Sequence, residues 1–347
     1  MQSLDTTATY DFSSVLIKPN YNPEFNISSR SEVNLEKTFQ FKNSSWTGVP
    51  IIAANMDTTG TFDVYKVLSK HKILTAFHKF YTLSHFEKFK RDNTLDPNFF
   101  MVSSGISYAN YKNLTEILDN IECKWICIDI ANGYIKSFRE FCRKVRDKYP
   151  DKIIVAGNVV TPDIVYDLIN DCGVDIVKVG IGPGSACTTR IKTGVGVPQL
   201  SAIFNCKDSA KKAGGYIISD GGITCPGDMS KAFGASADFV MMGGQFAGHD
   251  ENPGDIVEED GKKFKMFYGM SSEFAMVKHF GKMNTYRSSE GRCIKIPYKG
   301  KLENTVNDYL GGVRSTCTYI GCDKLDDMPK NTNFIVASQQ ANRVFVK

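Results

Sequence analysis

Eight short apolar runs recur along the middle of the chain, each ending in small or polar residues. They cover residues 49–54, 73–77, 99–103, 125–130, 153–156, 176–179, 216–218 and 239–242. Most are nearly unbroken in aliphatic and β-branched side chains, as parallel strands buried on both faces require. Their starts lie 23 to 28 residues apart, except for one gap of 40 before Tyr216. One strand, one helix and two loops fill such a spacing. Helical patterns fit between the runs at 61–70, 110–120, 135–148, 164–170, 198–213 and 226–233, and again at 302–310. The stretch 135–148 is charged on one face and apolar at Phe138, Phe141, Cys142 and Val145. Thr161-Pro162 supplies a capping hydroxyl and a first-turn proline for the helix behind it. Eight such units predict an α/β fold, a (β/α)8 TIM barrel; a doubly wound open sheet is the alternative.

Two segments stand outside the repeat. Residues 1–48 are mixed, with short strand-like pieces, and form an N-terminal extension. Residues 245–300 are rich in Gly and charge and separate the eighth run from the last helix. An insertion of that length in a compact fold is commonly a lid or disordered. No low-complexity tract or linker marks a second domain, so residues 1–347 are expected to form one catalytic barrel.

Composition narrows the class. The formal charge of +4 is small for 347 residues and predicts no nucleic-acid footprint. Residues 1–12 carry no Lys or Arg, and no apolar stretch is long enough for a bilayer, so neither a secretory signal nor a membrane partner is expected. The ten Cys are scattered without a C-x-x-C pair, and Cys123/Cys127 and Cys317/Cys322 match no common zinc spacing. Free thiols in the cytoplasm are the expected state.

In a barrel the residues just past each strand build the active-site face. Here they include Asn55-Met56-Asp57, His78-Lys79, Asp129, Gly157-Asn158, the loop 180–190, Ser219-Asp220-Gly221-Gly222 and Gly243-Gly244. Glycine pairs after the seventh and eighth runs suit phosphate, because backbone N–H groups can approach its oxygens where a Cβ would obstruct. Either pair alone is equally a tight turn. Cys187 falls on an exposed loop beside Ser185, Thr188, Thr189 and Arg190, whereas Cys123, Cys127 and Cys142 fall in strand or helix patterns. It is the candidate nucleophile, since a thiolate on such a loop is reactive. The carbonyls around Gly182-Pro183-Gly184 suggest a monovalent cation only weakly. His78 and Lys79 suit proton transfer or ligand contact as well as a solvated strand end. Asp57 and Asp129 suit a ribose hydroxyl, and for Asp57 a turn-stabilising role stands equally. Glu290, beside Gly291, suits general acid/base work, although a solvated surface Glu is the default.

At these residues the chain resembles the IMP dehydrogenase/GMP reductase family over about residues 10–345. The stretches 48–58, 156–161, 178–193, 219–222, 267–273 and 311–319 carry the resemblance, and the run from Gly180 to Arg190 is highly specific to it. The resemblance implies a barrel whose seventh and eighth loops hold a nucleotide phosphate. It implies that Cys187 attacks purine C2, with Thr189 and Glu290 handling protons. Substrate contacts map onto Asp220, Gly221, Gly222, Gly243, Gly244, Gly269, Met270, Ser271, Arg287, Ser288, Ser289 and Gly291. Cofactor contacts with NADPH map onto Lys79, Asp129, Ile130, Ala131, Ser315, Thr316, Cys317 and Thr318, and less securely onto Ser29 and Arg30. Gly182, Gly184, Cys187 and Arg190 map onto a loop that holds K+, and the assembly implied is a homotetramer.

The reductase branch is the better match. Dehydrogenases usually carry a paired regulatory domain between the second and third strands, and residues 79–99 leave no room for one. They also need an Arg-Tyr flap to activate water, whereas 267–273 and 287–291 follow the reductase pattern. The implied reaction is NADPH-dependent conversion of GMP to IMP and ammonia through a covalent thioimidate, in purine salvage. A dehydrogenase without its regulatory domain, and a phosphate-binding barrel without redox chemistry, are the competing readings. Three places depart from the pattern: 18–28 is less basic than usual in reductases, Phe80 replaces a frequent His, and Gln245-Phe246 replaces a more aliphatic pair.

Overall fold

A computed structural model describes residues 5–281 and 289–337. Eight parallel strands close into a barrel: β1 (Ile51–Ala53), β2 (Leu74–Phe77), β3 (Phe100–Ser104), β4 (Trp125–Asp129), β5 (Ile153–Val159), β6 (Ile176–Val179), β7 (Tyr216–Asp220) and β8 (Phe239–Met242). Each pairs with its neighbour in sequence, and β8 pairs with β1 to close the ring. The open-sheet alternative is thereby excluded. Every one of the eight predicted runs overlaps one of these strands, and β3, β5 and β7 extend one to three residues beyond theirs.

The helices are α1 (Phe62–Leu68), α2 (Leu83–Asp92), α3 (Tyr108–Asn120), α4 (Lys136–Lys148), α5 (Pro162–Asn170), α6 (Gln199–Lys212), α7 (Pro226–Gly234) and α8 (Leu302–Tyr319). Helix α4 buries Phe138, Phe141, Cys142 and Val145, the stripe its periodicity predicts. Thr61 caps α1 by accepting from Val64 N, and α5 begins at Pro162 as expected, but the Thr161 hydroxyl makes no cap bond and instead accepts from Tyr134 Oη at 3.2 Å. Helix α2 went unread because its apolar stripe is thin: Phe86 is buried and only Leu83 and Phe89 pack beside it against the core. Helix α8 runs past Gly311-Gly312, where a stop was expected. A Cβ on Gly312 would lie 2.4 Å from Pro226 Cβ, so that glycine admits the close crossing of α7 rather than ending the helix.

The N-terminal extension has two jobs. Residues Lys37–Gln40 and Ser45–Gly48 form an antiparallel hairpin against the strand starts. Phe39 stacks on Phe239 at 4.3 Å, and Trp46 meets Trp125 edge-on at 5.4 Å, so aromatic rings plug the barrel's N-terminal end. The segment Val15–Lys18 pairs antiparallel with Asn333–Val336 near the other end of the chain. The insertion at 245–300 is ordered where described. Val257–Glu259, Lys262–Tyr268 and Cys293–Pro297 make a three-stranded antiparallel flap, and a helix, Glu273–Phe280, follows its middle strand. Among the described residues no helix is long and apolar enough to cross a membrane.

Candidate active site

Closing one end with aromatic rings leaves the C-terminal end of the strands open. A cavity of about 270 Å³ lies there, lined by residues of the β6, β7 and β8 loops and of the flap, with Cys187, Thr189 and Glu290 in its wall.

Three side chains form a line. Cys187 Sγ donates to Thr189 Oγ1 at 3.2 Å, and Thr189 Oγ1 donates to Glu290 Oε2 at 2.8 Å. Thr189 opens a short helix, Thr189–Thr193, while Glu290 comes from the flap 101 residues later. Backbone pairing brings them together. Thr188 N donates to Glu290 O at 2.8 Å, Arg292 N to Ala186 O at 2.9 Å, and Cys187 bridges Gly291 in antiparallel fashion. Arg292 adds two bonds from its guanidinium to Ser185 O. The flap is thus sewn to the cysteine loop on both sides of Cys187.

The glycine pairs occupy the same wall. Gly221 and Gly222 have φ of +91° and +81°, a region that side chains rarely adopt. A Cβ on Gly221 would sit 2.9 Å from Pro183 Cγ and 3.1 Å from Gly184 N; one on Gly244 would sit 2.7 Å from Ser185 Oγ. The β6, β7 and β8 loops therefore touch only because these positions lack side chains.

Beneath them lies a charged floor. Lys178 projects from β6 and is 2% exposed, with Asp129 Oδ1 at 2.8 Å and Asp220 Oδ2 at 3.2 Å. Burial opposes its charge, but Asp129 and Asp220 outweigh that and push the ammonium above its ordinary range. Burial alone would raise the Asp129 carboxyl; Lys178 and the Asn55 amide, 2.8 Å away, hold it below its usual value. Asn158 donates to Asp220 Oδ2 and to Gly180 O, both at 2.8 Å, and its buried Oδ1 has no hydrogen-bond partner among the described residues. The sequence places Asn55 and Asn158 on the active-site face without giving them a role, and it does not single out Lys178. A lone Lys in the otherwise apolar strand I-V-K-V was the available signal.

The IMP dehydrogenase/GMP reductase domain matches residues 9–344. The chain is 51% identical to human GMP reductase 2 over 99% of each chain, and 51% identical to human GMP reductase 1 over 99% of this chain and all of that one. It is 53% identical to a GMP reductase of Yersinia pestis (strain Pestoides F) over 96% of each. The chain belongs to the IMP dehydrogenase/GMP reductase family. The positions that this family's pattern implied divide into groups. Asp220, Gly221, Gly222, Gly243, Gly244, Gly269, Met270, Ser271 and Gly291 line the cavity, as do Asp129, Ile130, Ala131, Gly182 and Gly184. Ser289 lies beside it, its carbonyl accepting from Thr188 Oγ1 at 3.2 Å. Arg287 and Ser288 lie outside the described residues. Lys79 stands at the rim, where its charge helps lower the Asp129 carboxyl. His78 is pushed down to about 4, chiefly by burial, and is neutral near pH 7.

A second group sits apart from the cavity. Arg30 Nη1 donates to Ser315 Oγ at 3.0 Å beside an open groove that includes Gly311 and Arg314. Ser29 caps the short turn that carries Arg30. Thr316 bonds Ser230 on α7, Thr318 bonds Ser315 O, and Cys317 is fully buried. Arg190 likewise turns away from the ligand space, with its guanidinium on Asp11 and on Val197 O.

Proposed function

We propose that the protein is a GMP reductase, converting GMP to IMP and ammonia with NADPH as reductant, and that residues 1–347 form a single catalytic unit with the flap at 245–300. The thiol–hydroxyl–carboxylate line is the observation that carries this reading. Glu290 draws the Cys187 proton through Thr189, which frees the thiolate to attack purine C2. Glu290 then returns that proton to the departing amine. The C2–N bond breaks, ammonia leaves, and Cys187 stays bound to C2 as a thioimidate. When bound, NADPH supplies the hydride to C2. The Cys187–C2 bond then breaks and IMP departs, after which the thiolate regains a proton from solvent. A dehydrogenase would have to hold an activated water against the same intermediate, and the flap sequence favours the reductase.

Asp220 is placed to accept from a ribose hydroxyl, while the Gly221-Gly222 and Gly243-Gly244 turns face the 5′-phosphate. Asp129, Ile130, Ala131 and Lys79 would hold the nicotinamide half of the cofactor. The orphaned Asn158 Oδ1 suits an amide or hydroxyl donor of a bound ligand. Ser29, Arg30, Ser315, Thr316 and Thr318 do not line that cavity, which fits a homotetramer in which neighbouring subunits share a cofactor. The buried Cys317 would support this group without touching the cofactor. K+ would take backbone oxygens of Gly182, Gly184, Cys187 and Arg190, with Arg190 acting through its carbonyl alone. The setting is cytoplasmic purine salvage.

The first test mixes protein, GMP and NADPH and follows nicotinamide absorbance with ammonia in parallel. Equal loss of NADPH and release of ammonia is expected; NAD reduction with IMP instead would transfer the protein to the dehydrogenase branch. Glu290→Gln is expected to slow GMP turnover by about 10²–10⁴-fold, the range for a positioned acid/base group. A 2-chloro analogue, whose leaving group departs without a proton, should be slowed far less at a pH where the thiol ionises unaided. Equal slowing of both would remove Glu290 from amine departure. Gly221→Ala is expected to weaken GMP binding at least 10-fold, since strain at its φ costs about 1–3 kcal/mol and the new Cβ meets Pro183. Titration calorimetry reads this directly, and an unchanged affinity would contradict the phosphate role of the turn.

A further inference from the structure

Lys299 follows the last flap strand and lies behind the Gly243-Gly244 turn. Its Nζ donates to Gln245 O at 3.1 Å and to Gly244 O at 3.4 Å, and its own N–H bonds Gly248 O at 2.9 Å. Among the described residues no carboxylate pairs with it within 4.0 Å. Burial pushes its ammonium down to about 8. A partly buried cation without a counter-ion is costly unless an anion completes it.

The geometry of the turn says where that anion would be. A peptide unit is planar and trans, so its C=O and N–H point in opposite directions. Lys299 holds the Gly244 carbonyl on one side; the Gln245 N–H of the same unit therefore points to the other. Gly243 and Gly244 line the cavity, whereas Lys299 does not. The neighbouring Phe246 N–H is already spent on Gly243 O at 3.0 Å. One amide is thus aimed by a cation standing behind it.

We propose that Lys299 is a positioning residue for the 5′-phosphate: it fixes the Gly244–Gln245 peptide toward the phosphate and offsets the phosphate charge without touching the nucleotide. It thereby sets the preference for nucleotide over nucleoside. This rests on the nucleotide reading of the cavity given above.

The test begins with wild-type turnover of GMP, then compares Lys299→Met and Lys299→Arg by kinetics and by calorimetry with GMP and guanosine. Lys299→Met keeps the apolar stem and removes the charge. Its KM and Kd for GMP should rise about 10- to 100-fold, the size of one charge-assisted hydrogen bond. The kcat should stay within about threefold and guanosine binding should not change, because neither depends on the phosphate. Lys299→Arg should bind GMP within about fivefold of wild type. An unchanged GMP affinity in Lys299→Met overturns the proposal, as does an equal loss for guanosine and GMP. If Lys299→Met does not fold, Lys299→Arg decides: a loss beyond about 10-fold there overturns it. Should wild type bind GMP without turning it over, the reductase reading fails while the variants still test Lys299 by binding.

Discussion

Cys187→Ala is expected to lower GMP-dependent NADPH oxidation by at least about 10⁴-fold, the scale of losing a covalent nucleophile. GMP binding should stay within a few-fold of wild type. The alanine leaves Asp220, both glycine turns and the flap pairing intact, and those bonds to Ala186 and Thr188 run through backbone. Thr189 and Glu290 would keep their 2.8 Å contact, so the variant isolates the sulfur. Stopped-flow absorbance and calorimetry on one preparation measure both quantities. Turnover within 10-fold of wild type would end the covalent reading. Lost binding together with lost turnover would make Cys187 a packing residue of its loop.

The second large effect is expected at Asp57, which is not among the residues that line the cavity. Its buried Oδ2 accepts from Tyr268 Oη and Lys278 Nζ at 2.9 Å each, and from His279 Nε2 at 2.6 Å. Burial alone would raise this carboxyl, but the bonds from Lys278, His279 and Tyr268 hold it below its ordinary value. The His279 ring also lies flat on Phe80 at 3.5 Å. Tyr268 ends the middle flap strand and is followed by Gly269, Met270 and Ser271 in the cavity wall, so one carboxylate from the β1 loop ties the flap to the barrel. Asp57→Ala should cut kcat/KM by about 100-fold or more, because errors near 1 Å in placement cost that much. Hydrogen exchange should rise across 262–280 and stay unchanged in the barrel strands, since flaps open locally before the core does. Uniform deprotection of the barrel would instead make Asp57 a core stabiliser. The sign with pH follows from the lowered carboxyl. The tie is fully present above the unfolded-state value and is lost only as acid carries the pH down through the folded one.

The fold was legible because β-strands buried on both faces leave continuous apolar runs, and such runs read off directly. The proposed nucleophile stood out for a related reason: Cys187 breaks the pattern, whereas the other thiols named beside it obey one. What escaped notice lacks a local signature. Helix α2 carries only a thin apolar stripe, Leu83, Phe86 and Phe89, among seven polar residues, too weak a pattern to stand out. Lys178 carries its meaning only through Asp129 and Asp220, on strands far away in sequence. The bond between Thr189 and Glu290 spans 101 residues, and the family resemblance, not any spacing rule, implied that pair. Gly311-Gly312 reads locally as a helix end, and only the proline packed against it explains why α8 continues.

The strand at Val15–Lys18 lies against Asn333–Val336. The first and last strands of the described residues are therefore neighbours. A barrel of this kind has no privileged beginning. Permuted chains, with the old ends tied by a linker and new ones opened at an exposed turn, should assemble the same eight-stranded wall.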